Sequence, residues 1–159
     1  MKKMISVVSG CLVGLAALAA DSSTAQVFQM RLVADNSSSQ TERMTLVQSS
    51  PGNRQPEIFS VQKAVLLDQA DLKSATVSTN TPTGAPRIDL VFTEKGAQRF
   101  AEVTRQNIGK RLAIVIDGRL YSAPYIRAEI AGGLAQIEGS FTEQEARDLA
   151  AAISKTLQK

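Results

Sequence analysis

Residues 27–33, Val-Phe-Gln-Met-Arg-Leu-Val, alternate apolar and polar side chains, the period of two that seats one face of a strand on a core. Residues 35–40 are polar and turn-like, residues 43–47 suit a short return strand, and residues 48–56, with Pro51, Gly52 and Pro56, read as a loop. Residues 58–62 are a candidate strand, residues 64–67 resemble a strand leaving into a turn at 68–72, and residues 75–79 form a further strand before the turn cluster at 80–86. Residues 88–92 are a strand, after which Thr93 can cap a helix whose apolar positions Ala97, Phe100, Ala101, Thr104 and Ile108 recur at three and four. Gly109 stands where a left-handed helix C-cap belongs.

The apolar run Leu112-Ala113-Ile114-Val115-Ile116 is longer than a one-sided strand needs, so it belongs at the centre with both faces covered. Asp117-Gly118 supplies the positive φ angles of a type I′ turn, which returns residues 119–123 as hairpin partner, and Pro124, without an amide donor, ends that strand. Residues 128–130 and 134–138 flank the small residues Ala131, Gly132 and Gly133 as a second reversal. Thr142 with Glu145 makes a capping box, Phe141 can staple onto Ala146, and the helix that follows buries Ala146, Leu149, Ala150, Ile153 and Leu157. Two amphipathic helices need a sheet to cover them. The pattern predicts an α+β fold, an antiparallel or mixed sheet with the two helices packed on it.

The first 25 residues follow another logic. Lys2 and Lys3 precede an apolar run from Met4 to Leu18 and small residues ending at Ala25, the three-part plan of a secretory signal peptide cleaved after Ala25 or Ala19. The run is shorter than the roughly 20 residues of a membrane anchor, and no later segment approaches that length. Val8-Ser9-Gly10-Cys11 also fits a lipoprotein signal, but the apolar stretch before Cys11 is short for one and the residues after it stay apolar. The expectation is a periplasmic or secreted chain with a leader (1–25), N-terminal strands and a polar loop (26–57) and a main domain (58–159).

Composition narrows the chemistry. The chain has no histidine, and its one cysteine is Cys11, so beyond the leader there is no disulfide, Cys nucleophile, His base, or Cys- or His-bound zinc. The net charge of +3 is spread among interspersed Lys, Arg, Asp and Glu, not gathered into the basic stripe of a nucleic-acid binder. Asp117 is a turn residue, Asp89 and Glu138 lie in strands, and Ser122 has no base beside it in sequence. No nucleophile-base constellation can be assembled, and neither an enzyme nor a cofactor is expected.

The order of these elements resembles one known family, SecD, in the head subdomain of its first periplasmic region. The residues that carry the resemblance include Phe28 with Arg31-Leu32-Val33, Asp71-Leu72 with Ala75, Gly96-Ala97 with Phe100, Thr104 with Asn107 and Gly109, residues 112–118, Ser122-Ala123-Pro124 with Ile126, Ile130 with Gly132-Gly133, Gln136-Ile137 with Gly139, and Phe141-Thr142 with Glu145-Ala146 and Leu149-Ala150. The resemblance implies a role in protein export: SecD with SecF is a proton-driven accessory of the Sec translocon whose periplasmic head handles emerging polypeptide. It implies unfolded or translocating polypeptide, and translocon components, as partners. Most of the matching residues have ordinary structural explanations, turn glycines and helix caps among them, and speak for fold rather than chemistry. The exception is Tyr121-Ser122-Ala123-Pro124-Tyr125-Ile126, where two of the chain's seven aromatics flank a proline at a strand end. If extended polypeptide binds there, Tyr125 and Ile126 are the contacts, with Arg119 and Arg127 as polar flanks. The alternative is an envelope interaction module that binds one folded partner.

Overall fold

The structure, a computed structural model, describes residues 27–47, 56–79, 84–139 and 141–158; the leader expected at 1–25 and most of the 48–56 loop lie outside this set. Among the described residues there are nine strands, two α-helices and one short 3-10 turn. The strands are β1 (Phe28–Ala34), β2 (Thr41–Thr45), β3 (Ile58–Gln62), β4 (Leu67–Asp68), β5 (Leu72–Thr79), β6 (Pro86–Phe92), β7 (Leu112–Ile116), β8 (Arg119–Ser122) and β9 (Leu134–Ile137). The helices are α1 (Glu94–Gln106) and α2 (Glu143–Leu157).

The α+β class holds, with the sheet divided in two. One sheet runs β2-β3-β1-β7-β8, with β4 also on β1, and the other runs β5-β6-β9; every ladder between the named strands is antiparallel. The larger sheet curls until Leu46, just after β2, bridges Leu120 of β8, where the Val47 amide donates to the Leu120 carbonyl at 2.9 Å. Inside that curl lies a small core of Val61, Ala113, Val115 and Leu120, against which Val33, Met44, Leu46 and Phe59 pack.

The larger core uses the opposite face of the same two central strands. Phe28, Met30 and Leu32 of β1 and Leu112, Ile114 and Ile116 of β7 point into it, and meet Ile88, Leu90 and Phe92 of β6, Phe100 of α1, and Ala146, Ala150 and Ile153 of α2. The unbroken apolar run of β7 is thereby explained. All five of its residues are buried, alternately in one core and the other.

The predicted local signals are in place. Thr93 accepts from the Gly96 amide at 3.0 Å, and Thr142 and Glu145 form a reciprocal capping box. Asp117 at φ 50° and Gly118 at φ 73° make the β7–β8 turn. Three expectations differ. Ile108, placed on the apolar face of the first helix, lies past the end of α1 and is exposed. The return strand expected at 43–47 forms at Thr41–Thr45 and pairs with β3. Residues 128–130 are not a strand: the Ile130 amide donates to Thr104 Oγ1 at 3.0 Å and so leaves the ladder, while β9 pairs with β6.

Candidate functional site

Between α1, β7, β9 and the segment that follows β8 lies a cleft of about 500 Å³, within the usual range of ligand pockets. Its floor is the larger core itself, through the buried side chains of Met30, Phe100, Leu112 and Ile114. One wall is the segment 124–130 and the other is β9 through Leu134, Ala135 and Gln136. The lining is predominantly apolar.

Short-range bonding fixes the first wall. The Gly109 amide donates to the Ile126 carbonyl at 2.8 Å, the Ile126 amide to the Lys110 carbonyl at 2.9 Å, and the Leu112 amide to the Pro124 carbonyl at 2.9 Å. Farther along, the fully buried Thr104 holds the segment to α1: its hydroxyl donates back to the Phe100 carbonyl at 2.8 Å and accepts from the Ile130 amide. A threonine inside a helix normally turns its hydroxyl to the backbone one turn earlier. Here the same oxygen also ties down a loop.

Three large apolar side chains of the cleft stand open to solvent: Tyr125 at 57% exposure, Ile130 at 40% and Leu134 at 60%. Single exposed apolar residues are ordinary, whereas several on one cleft mark a contact surface. β9 is the end strand of its sheet, so its outer edge carries backbone donors and acceptors that no further strand of the described residues pairs.

Of the four residues singled out from the sequence, Tyr125, Ile126 and Arg127 line this cleft. Ile126 is buried, so it contributes to the wall while Tyr125 and Arg127 are exposed. Arg119 lies elsewhere, in a shallower, more polar depression with Arg43, Met44 and Leu46 at the β2–β8 seam. Sequence reasoning missed Ile130, Leu134 and Thr104. Leu134 could have been found: it alternates with Ala135 and Ile137 and so shares a strand face with polar Gln136, the wrong face for a core leucine. Asp89, Asp117, Glu138 and Ser122 are not cleft residues.

A family model described as SecDF, P1 head subdomain, matches residues 41–156. The chain belongs to this family. The protein translocase subunit SecDF of Thermus thermophilus is 54% identical over 85 residues, which cover 54% of this chain and 11% of the relative. The protein translocase subunit SecD of Aquifex aeolicus is 45% identical over 100 residues, covering 63% of this chain and 20% of the relative. The chain thus spans a tenth to a fifth of these relatives. Two solved structures share the P1 head fold. SecDF in a super-membrane-facing form superposes with a TM-score of 0.64 at 37% identity, over 80% of this chain and 18% of that one. A structure of SecDF, a membrane component that enhances protein export, superposes with a TM-score of 0.62 at 39% identity, over 80% of this chain and 61% of that one. Among the described residues, no helix of this P1 head is long and apolar enough to cross a membrane.

Proposed function

We propose that this P1 head acts without catalysis, by binding unfolded or translocating polypeptide in the cleft between residues 124–130 and β9, on the periplasmic side or after secretion, in support of protein export or folding. The observation that carries the reading is the exposure of Tyr125, Ile130 and Leu134 along a cleft bounded by an edge strand. An extended segment laid beside β9 gains main-chain hydrogen bonds that do not depend on its sequence, and places alternate apolar side chains against the cleft floor. Such a site is sequence-tolerant and moderate in affinity. Tyr125 and Ile126 are the apolar contacts, and Arg127 is a polar flank. Arg119, at the other depression, is a contact for a chain that continues past the cleft or for a translocon component.

The test is fluorescence anisotropy of the chain, purified as expressed, against a labelled polypeptide kept unfolded by alkylation and against the same polypeptide folded. Binding restricted to the unfolded form, and weakened by Tyr125→Ala, is expected. Equal binding of the folded form would favour a dedicated folded partner, and no binding to either would remove the reading.

A further inference from the structure

Arg111 sits where the two cores and the cleft wall meet. Its backbone opposes that of Tyr125 in an antiparallel bridge, flanked by the Leu112–Pro124 and Ile126–Lys110 hydrogen bonds. This is the non-hydrogen-bonded kind of pair, in which opposing side chains approach most closely. The guanidinium lies 4.2 Å from the centre of the Tyr125 ring and 5.3 Å from that of Phe59, and Nη1 donates to the Ala123 carbonyl at 3.1 Å. Tyr125 is the exposed lip of the cleft, whereas Phe59 packs against the small core inside the curled sheet.

We propose that Arg111 is a positioning residue, which holds the Tyr125 ring in its cleft-lining rotamer before a ligand arrives. The inference rests on the reading of the cleft as a polypeptide site. An exposed tyrosine otherwise samples several rotamers and loses that freedom on binding. A guanidinium lying over the ring and anchored to the Ala123 carbonyl removes most of that loss in advance. The role is specific to arginine. Lysine keeps the charge but lacks the flat face and the fixed fork of donors that reach ring and carbonyl together.

The chain contains two tyrosines and no tryptophan, so ring-labelled tyrosine gives NMR signals from Tyr121 and Tyr125 alone. Tyr121 lies beside Phe141, 6.2 Å between ring centres, and reports whether the larger core is intact. In Arg111→Lys the Tyr125 ring signals are expected to move toward the averaged values of a free tyrosine while those of Tyr121 stay in place. Unchanged Tyr125 signals would overturn the proposal. Binding of the alkylated, unfolded polypeptide supplies the second readout. Arg111→Lys is expected to weaken it about three- to five-fold, the scale of an exposed cation–π contact, and to have no effect in a Tyr125→Leu background. An equal loss in both backgrounds would mean that Arg111 touches the ligand itself, and would overturn the positioning role. If the unaltered chain bound no polypeptide, the proposed function would fall, and the ring signals would then decide Arg111 alone.

Discussion

A Cβ on residue 96 would lie 2.1 Å from the carbonyl oxygen of Asp71, so only glycine lets α1 approach the 3-10 turn (Gln69–Asp71) this closely. That carbonyl is itself engaged, accepting from the Thr93 amide at 2.8 Å and from the Thr93 hydroxyl at 3.2 Å. The start of α1 is therefore bonded to the turn it crosses, and neither can retreat without losing a cap. In a free helix Gly→Ala would stabilise by about 1 kcal/mol. Here Gly96→Ala is expected to destabilise the chain by about 3 kcal/mol, because a rigid backbone atom must be displaced. Urea unfolding followed by circular dichroism checks the sign. A variant as stable as the parent would show that the turn shifts freely.

Arg99 closes the same corner from the other side. Its Nη1 donates to both carboxylate oxygens of Asp71 at 3.0 Å and its Nη2 to the Leu66 carbonyl at 2.7 Å. The Asp71 side chain is 7% exposed and that of Arg99 56%, so water screens the arginine and reduces the value of the pair. Arg99→Ala is expected to lower stability by about 1–2 kcal/mol, the scale of lost hydrogen bonds to a charged group. Arg99→Lys should recover only part of this, since one ammonium cannot serve the carboxylate and the carbonyl with the same fork geometry. Equal stability of the lysine variant and the parent in denaturant titration would contradict the account of a fork shared between carboxylate and carbonyl.

Thr104 gives a local rather than a global expectation. Thr104→Val keeps the shape but removes the acceptor of the Ile130 amide and leaves a methyl group in its place. Hydrogen exchange at Ile130 is expected to accelerate by roughly ten-fold or more, corresponding to a lost hydrogen bond of about 1–2 kcal/mol, with amides of β6 unaffected. Thr104→Ser should restore the protection. Faster exchange throughout the chain in the valine variant would mean that the hydroxyl supports the whole core and not the cleft wall.

Much of this was legible in the sequence, and the reasons for what was not are physical. Strand and helix positions followed from apolar spacing, and both helix starts followed from side chains within three residues of the bond they make. The five buried residues of β7 announced a strand covered twice. Which strands neighbour one another was not encoded locally: residues 43–47 suit a short return strand, but the strand forms at Thr41–Thr45 and finds its partner in β3, across the 48–56 loop. The second reversal around Gly132-Gly133 was misread because a strand-like triplet, residues 128–130, is held by one threonine hydroxyl 26 positions earlier in the chain. The site was half legible. Tyr125 and Arg127 stood out as an aromatic and a charge beside a proline, but Leu134 and Ile130 join them only once β9 docks on β6.

Leu134 offers the cleanest separation of binding from stability. At 60% exposure, Leu134→Ser is expected to change unfolding free energy by no more than about 0.5 kcal/mol, as for other surface positions. The same change should weaken binding of unfolded polypeptide about five-fold or more, by the roughly 1 kcal/mol or greater value of a partly buried leucine contact. Anisotropy titration and thermal unfolding of one preparation give both numbers. A variant that binds as tightly as its parent would move the polypeptide site away from β9.

The double burial of β7 also has a consequence for how the molecule opens. Ala113 and Val115 are shared with the small core and Ile114 with the cleft floor, and these three residues are consecutive on one rigid strand. Neither core can melt while leaving the other its central wall. The chain should unfold in a single cooperative step, and the amides of β7 should exchange only when the whole molecule opens. Occupancy of the cleft would then be felt on the far side of the sheet as slower exchange, without any atom of the ligand reaching it.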